Sequence, residues 1–259
     1  MMTLLHRMRW RHVLLLALLV GGPARAAEDP APQVCDVPAY LLTSESSLPK
    51  VKAAARPGGK LDILVIGSRS AVIGLSDQSA AFPNRLQAYL SERLPSMAVN
   101  VALELQVKKT AEEMAPTLEK LVADKKPDLV IWQTGTVDAM RQVDGEDFRA
   151  ALDEGVAAMK TAGADVILMN LQYSPRTETM ISGSAYLDNM RVVAQQHDVP
   201  LFDRFAIMRQ WNENGDFDLF NPAPGTELAK RVHDCLGRAL STFVVETAHI
   251  KTEDLRIQR

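Results

Sequence analysis

Apolar residues run without a break over positions 63–66, 129–132 and 166–169. Runs this short and this continuous read as strands whose two faces are both covered, as in the middle of a parallel sheet. Strands are therefore predicted over residues 61–66, 129–132 and 166–169. Val99, Val101, Leu103, Leu105 and Val107 alternate with polar or small residues, which predicts a strand with one buried face. A short strand is read over 199–202. Between the strands the apolar period lengthens to that of a helix. Phe82, Leu86, Tyr89 and Leu90 share one helical face, and Pro95 sets the limit of a helix over 82–94. Thr110 is placed to cap a helix carrying Met114, Leu118, Leu121 and Val122. Phe148, Leu152, Val156 and Met159 mark a helix over 146–162, and two more helices are read over 180–196 and 226–244. Strands alternating with helices of this length imply parallel strands joined by crossovers, so the fold class is α/β, a three-layer α/β/α sandwich. One domain fills residues 60–246. Before it, residues 27–59 are rich in Pro, Ala and Ser, end on Pro57-Gly58-Gly59, and read as a mostly irregular arm. After it, residues 247–259 read as a polar, frayed tail.

The first residues follow another logic. Arg7, Arg9 and Arg11 precede an apolar stretch over 13–20, and Ala24-Arg25-Ala26 supplies small residues at the spacing a signal peptidase reads. Residues 1–26 are expected to be a signal peptide, and the protein to be periplasmic or secreted. The rival is an uncleaved anchor, although the run is short for a membrane span. No later apolar run is long enough to cross a bilayer.

The whole chain has a formal charge of −3. Cleavage after Ala26 removes four arginines and no acid, leaving a more acidic remainder. That balance argues against nucleic acid as a partner, which needs a basic stripe. Both cysteines survive processing, Cys35 near the mature start and Cys235 near the end. In an oxidising compartment they can pair, fastening the arm to the last helix. By the chain-entropy model a closed loop of roughly 200 residues contributes about 4–5 kcal/mol at most. Two buried thiols are the alternative. No Cys or His cluster has metal-ligand spacing, so neither a metal nor a cofactor is expected.

Strand ends line the ligand crevice of an open α/β sheet. That directs attention to residues 67–74, 133–138 and 170–176, and to residues 216–227 before the last helix. Ile66-Gly67-Ser68-Arg69-Ser70 and Trp132-Gln133-Thr134-Gly135-Thr136-Val137-Asp138 resemble the first and third blocks of the SGNH/GDSL hydrolases. These are esterases and acyl hydrolases on a flavodoxin-like sandwich. The likeness is to a secreted bacterial branch whose first motif reads glycine followed by serines. Phe82-Pro83-Asn84-Arg85-Leu86, the stretches 168–176 and 200–209, and Cys235-Leu236-Gly237-Arg238-Ala239-Leu240 fit that branch.

The resemblance also implies which catalytic parts are replaced. The family's nucleophilic serine falls on Arg69. Its second-block glycine falls near Lys108, and its third-block asparagine, a side-chain donor to the oxyanion, falls on Val137. Its last block, Asp-x-x-His, falls on Pro224 and Glu227, or in a shifted register on Asp218 and Asn221. Ester hydrolysis of this kind needs a hydroxyl, a base in hydrogen-bond reach and donors aimed at the developing oxyanion. Guanidinium cannot attack, and valine donates nothing. Weak candidates for a relocated catalytic apparatus are Ser68, Ser70 and His233. The serines also suit turn or cap positions, and His233 reads as a surface residue of the last helix. Of the other histidines, His6 and His12 lie in the leader, His197 ends a helix and His249 is in the tail.

The expected function is an exported SGNH-like protein whose ester-hydrolase site has decayed. Its former acyl pocket would bind a small anionic, carbohydrate or acyl ligand, or an envelope partner. Arg69, Ser68, Ser70, Thr136, Asp138, Tyr173 and Arg176 are the candidate ligand residues. Pinning their loop is an equal reading for Tyr173 and Arg176, and capping a helix is the other reading for Asp138. The alternative is an active periplasmic esterase using Ser70 or Ser68. A third reading is an accessory protein acting through a surface outside the crevice.

Overall fold

The computed structural model describes residues 35–73, 78–221 and 225–255. The expected signal peptide therefore lies outside the described residues. In chain order the elements are α1 (Pro49–Ala54), β1 (Lys60–Gly67), α2 (Phe82–Arg93), β2 (Ala98–Leu105), α3 (Ala111–Lys125), β3 (Leu129–Gln133), α4 (Thr136–Arg141) and α5 (Gly145–Thr161). There follow β4 (Asp165–Met169), α6 (Pro175–Met180), α7 (Ser184–His197), β5 (Leu201–Phe202), α8 (Arg204–Glu213) and α9 (Glu227–Thr247).

All five strands are parallel, in the order β2-β1-β3-β4-β5. The continuous apolar runs do what their pattern requires. Ile63, Val65, Leu129, Ile131, Ile167 and Met169 face one core, against α1, α2, α8 and α9. Their neighbours Leu64, Ile66, Val130, Trp132, Val166 and Leu168 face the other, against α3, α5 and α7. The result is the three-layer α/β/α sandwich. The strand order reverses direction between β1 and β3, and such a switch point opens a crevice at the strands' carboxyl ends.

Several local readings need correction. The mostly irregular arm contains one helix that was not foreseen. Pro49 at the first position starts α1, and Asp165 Oδ2 accepts hydrogen bonds from the Lys50 and Val51 amides (2.8 and 3.0 Å), which fixes that helix to β4. The helix read over 180–196 begins only at Ser184, and a separate short helix, α6, ends at Met180 before the chain leaves helical geometry at Ile181. Residues 133–138 are not all loop, since Thr136 begins α4. Helix α8 was not foreseen, although Asp203 caps it through the Ala206 amide. Val107 lies beyond β2. The tail is not frayed up to Leu255, which is buried beside Ala248 against the core. Thr110 does cap α3, in a reciprocal box with Glu113. Cys35 and Cys235 form a disulfide across 200 residues, tying the arm to α9.

Candidate functional site

β1 delivers the chain to Gly67, and a short 3₁₀ turn over Arg69–Ala71 follows. A Cβ at Gly67 would lie 2.8 Å from Gln133 Oε1 and 3.0 Å from Ala71 Cβ. The missing side chain leaves room for the Gln133 amide, which brings the end of β3 against the turn. Gln133 Nε2 then donates a hydrogen bond to Ser70 Oγ. A second donor, Arg204 Nη1, reaches the same oxygen from 3.4 Å. Ser70 is thus held by an amide and a guanidinium. Neither can take its proton, and turning the Gln133 amide over does not change this. Ser68 is the turn's N-cap residue by position, but its side chain makes no capping bond.

Arg204 owes its place to its neighbours. Asn170, wholly buried at the end of β4, donates to Asp203 Oδ1 at 2.7 Å and accepts from the Phe205 amide at 2.9 Å. These bonds fix the start of α8 and put Arg204 in its first turn, 1% exposed. Its Nε and Nη2 have no hydrogen-bond partner among the described residues, and no described carboxylate pairs with it. Burial lowers its pKa to about 9, so it remains cationic at neutral pH. A cation in the first turn also opposes the positive end of the helix dipole.

His233 is buried, not on the surface of α9 as expected, because that face of the helix packs on Phe82. Its Nδ1 accepts the Phe82 amide hydrogen bond at 3.0 Å. The neutral ring then carries its proton on Nε2, and its one basic lone pair is already engaged. Burial, reinforced by the charge of Arg204, pushes its pKa down to about 4. His233 and Ser70 line the same cavity, yet no hydrogen bond joins them. The pair offers neither the contact nor the free base that serine activation requires.

On the other side of Ser70 lies a cavity of about 600 Å³ lined by Arg69, Lys108 and Arg141, with Val137 and Met140 as its apolar wall. Lys108 has φ 63°, a left-handed backbone that favours glycine, which agrees with the position the resemblance assigns it. Val137, in the place of an oxyanion donor, presents only methyl groups. Ser68, Ser70 and Thr136 line this cavity too.

The other candidates divide. Tyr173 and Arg176 border the second cavity, of about 280 Å³, between the β4–α6 loop, α8 and α9. Tyr173 also packs edge-on against Phe205, so it both pins its loop and borders the space. Asp138 lines neither cavity and is a structural cap. It is 1% exposed, its Oδ1 accepts from the Ala111 amide at 2.7 Å, and its Oδ2 accepts from the Gly135 amide at 3.2 Å. Burial raises its pKa despite those bonds. Asp218 accepts from the Phe220 and Asn221 amides in a local turn, Glu227 pairs with Lys230, and Pro224 lies outside the described residues. Among the described residues no group of His, Cys, Asp and Glu is placed to hold a metal ion. Gln133 and Arg204 were missed as site residues. The signal for Arg204 is its register: it shares the buried stripe of Ile207, Met208 and Trp211 at helical spacing.

Three solved structures resemble this fold at low sequence identity. LAE5, an alpha/beta hydrolase enzyme from the metagenome of Lake Arreo, Spain, is 21% identical with a TM-score of 0.56, over 74% of this chain and 99% of its own. The acetylxylan esterase Axe2 from Geobacillus stearothermophilus is 19% identical with a TM-score of 0.57, over 76% and 98%. A lipase/acylhydrolase from Enterococcus faecalis is 19% identical with a TM-score of 0.54, over 70% and 93%. No curated protein matches the chain in sequence. Residues 34–250 match the model of the Non-GDSL lipase-like family. The chain belongs to the Non-GDSL lipase-like family.

Proposed function

We propose that this protein is exported, has given up ester hydrolysis, and uses the crevice at the carboxyl ends of β1 and β3 to bind an anionic ligand. One observation carries the reading. Arg69 and Lys108 line a cavity that no carboxylate among the described residues lines, in a protein of net negative charge. Arg141 adds a third positive group, shared with Glu113 at 3.1 Å. Cationic side chains at a concave site raise the local concentration of anions and hydrogen-bond them once bound. Loss of hydrolysis is supported by the donors around Ser70 and by the engaged Nδ1 of His233. Export is supported by the basic and apolar leader and by the Cys35–Cys235 bridge, a bond suited to an oxidising compartment.

The test has two arms. In the first, short p-nitrophenyl esters are offered to the wild type, Ser68→Ala and Ser70→Ala. Turnover at the buffer rate in all three is expected, and robust turnover abolished by one substitution would establish the alternative, an esterase with a relocated serine. In the second arm, inorganic phosphate and an acidic oligosaccharide are titrated into wild type and Arg69→Ala. Binding at least tenfold weaker in the variant is expected. Equal binding, or none, overturns the anion-binding reading.

A further inference from the structure

Arg204 is the least satisfied charge in the described structure. It is almost wholly buried, it stands in the first turn of α8, and two of its three nitrogens have no partner. Asp203 is next to it in sequence but is occupied by Asn170, the Ala206 amide and Arg191. Buried charges in folded proteins are ordinarily paired, because an unpaired one has lost water and gained nothing. Arg204 also borders a cavity of about 280 Å³, the one that Ser70 and Arg176 help to line. The remaining wall is mostly apolar, with Met208, Leu219, Leu228, Val232 and Leu236. Among the described residues no carboxylate lines it, and its histidine, His233, is held neutral by its bond from Phe82.

We propose that this cavity binds a small organic acid, a monocarboxylate on an apolar chain, with the Arg204 guanidinium as its counter-ion and the aliphatic wall around its tail. The proposal rests on the anion-binding reading and extends it, since Ser70 and Gln172 line both this cavity and the one at Arg69. A guanidinium offers paired N–H donors that match a carboxylate. A free phosphate would satisfy the charge but leave the apolar wall without a partner. An alcohol of the same chain would fill the wall but leave the charge unpaired. The volume lies just below the usual range for drug-sized ligands, which selects a short chain.

The probe is octanoate, measured by titration calorimetry and thermal shift, with octanol and inorganic phosphate as the uncharged and tail-less controls. The wild type is expected to bind octanoate at least tenfold more tightly than octanol. Arg204→Met, which keeps the volume and removes the charge, should weaken octanoate at least tenfold. Ala229 also lines the cavity, and Ala229→Trp, which fills it and keeps Arg204, should do the same. Octanoate binding that is absent, or unchanged in the variants, overturns the proposal. If Arg204→Met does not fold, Ala229→Trp decides. Phosphate binding that is lost in Arg69→Ala and kept in Arg204→Met, without octanoate binding, leaves the crevice reading standing and sinks this one.

Discussion

The guanidinium of Arg204 donates to the hydroxyl of Ser70 across 3.4 Å, from a residue 134 positions later in the chain. The bond joins the turn after β1 to the start of α8, and it gives the serine a cation where an active hydrolase needs a base. The Gln133 amide occupies the same oxygen from the end of β3. The consequences reach stability as well as chemistry.

Arg204→Met is expected to stabilise the ligand-free protein. It removes one long hydrogen bond and relieves a buried charge that has no acidic partner. Exchanges of buried charge for well-packed apolar volume are often neutral or stabilising by about 1–4 kcal/mol. Urea unfolding of the two proteins checks this, and a midpoint lowered in the variant contradicts it.

His233 predicts an acid limb to stability. Its folded pKa of about 4 lies below the ordinary 6.5. The unfolded chain therefore binds the proton more readily as pH falls. The contribution of the neutral ring is complete above pH 6.5 and is lost as pH drops toward 4, by up to about 3 kcal/mol. In His233→Asn an amide oxygen can keep the Phe82 bond without titrating. Its stability should fall less steeply between pH 6.5 and 4 than that of the wild type. Parallel curves would contradict the assignment.

Asp138 is read as the cap that joins the β3–α4 turn to α3. Asparagine can accept only one of its two amide bonds and must point an NH₂ group at the other N–H. Asp138→Asn should cost about 1–3 kcal/mol in chemical denaturation. An unchanged midpoint would show that the two amides find other partners.

The Cys35–Cys235 bridge spans 200 residues and fixes the arm to α9. The double variant Cys35→Ser/Cys235→Ser should lose about 2–5 kcal/mol. Urea midpoints of the variant and the oxidised wild type measure this, and coincident curves would contradict it.

The layers of this fold were legible because its strands are buried on both faces, so that residues 63–66, 129–132 and 166–169 carry no polar interruption. The crevice was legible in its turn, at Gly67 to Ser70, and in Lys108, whose left-handed backbone keeps the mark of a glycine position. The burial of His233 was not. Its helix presents apolar residues over more than one face, and only the tertiary contact with Phe82 decides which of its sides is covered. Arg204 escaped for a related reason. An arginine on a helix reads as solvent-facing unless its register with Ile207, Met208 and Trp211 is followed. Gln133 looked like loop because its role depends on the missing side chain of Gly67, 66 residues earlier.

The central claim is that Ser70, held by two donors and served by no base, is not an activated nucleophile. Incubating the native protein with an excess of a fluorophosphonate ester and weighing it by intact-mass spectrometry tests this directly. The expected spectrum shows the unmodified mass. A stoichiometric phosphonyl adduct that disappears in Ser70→Ala would contradict the account.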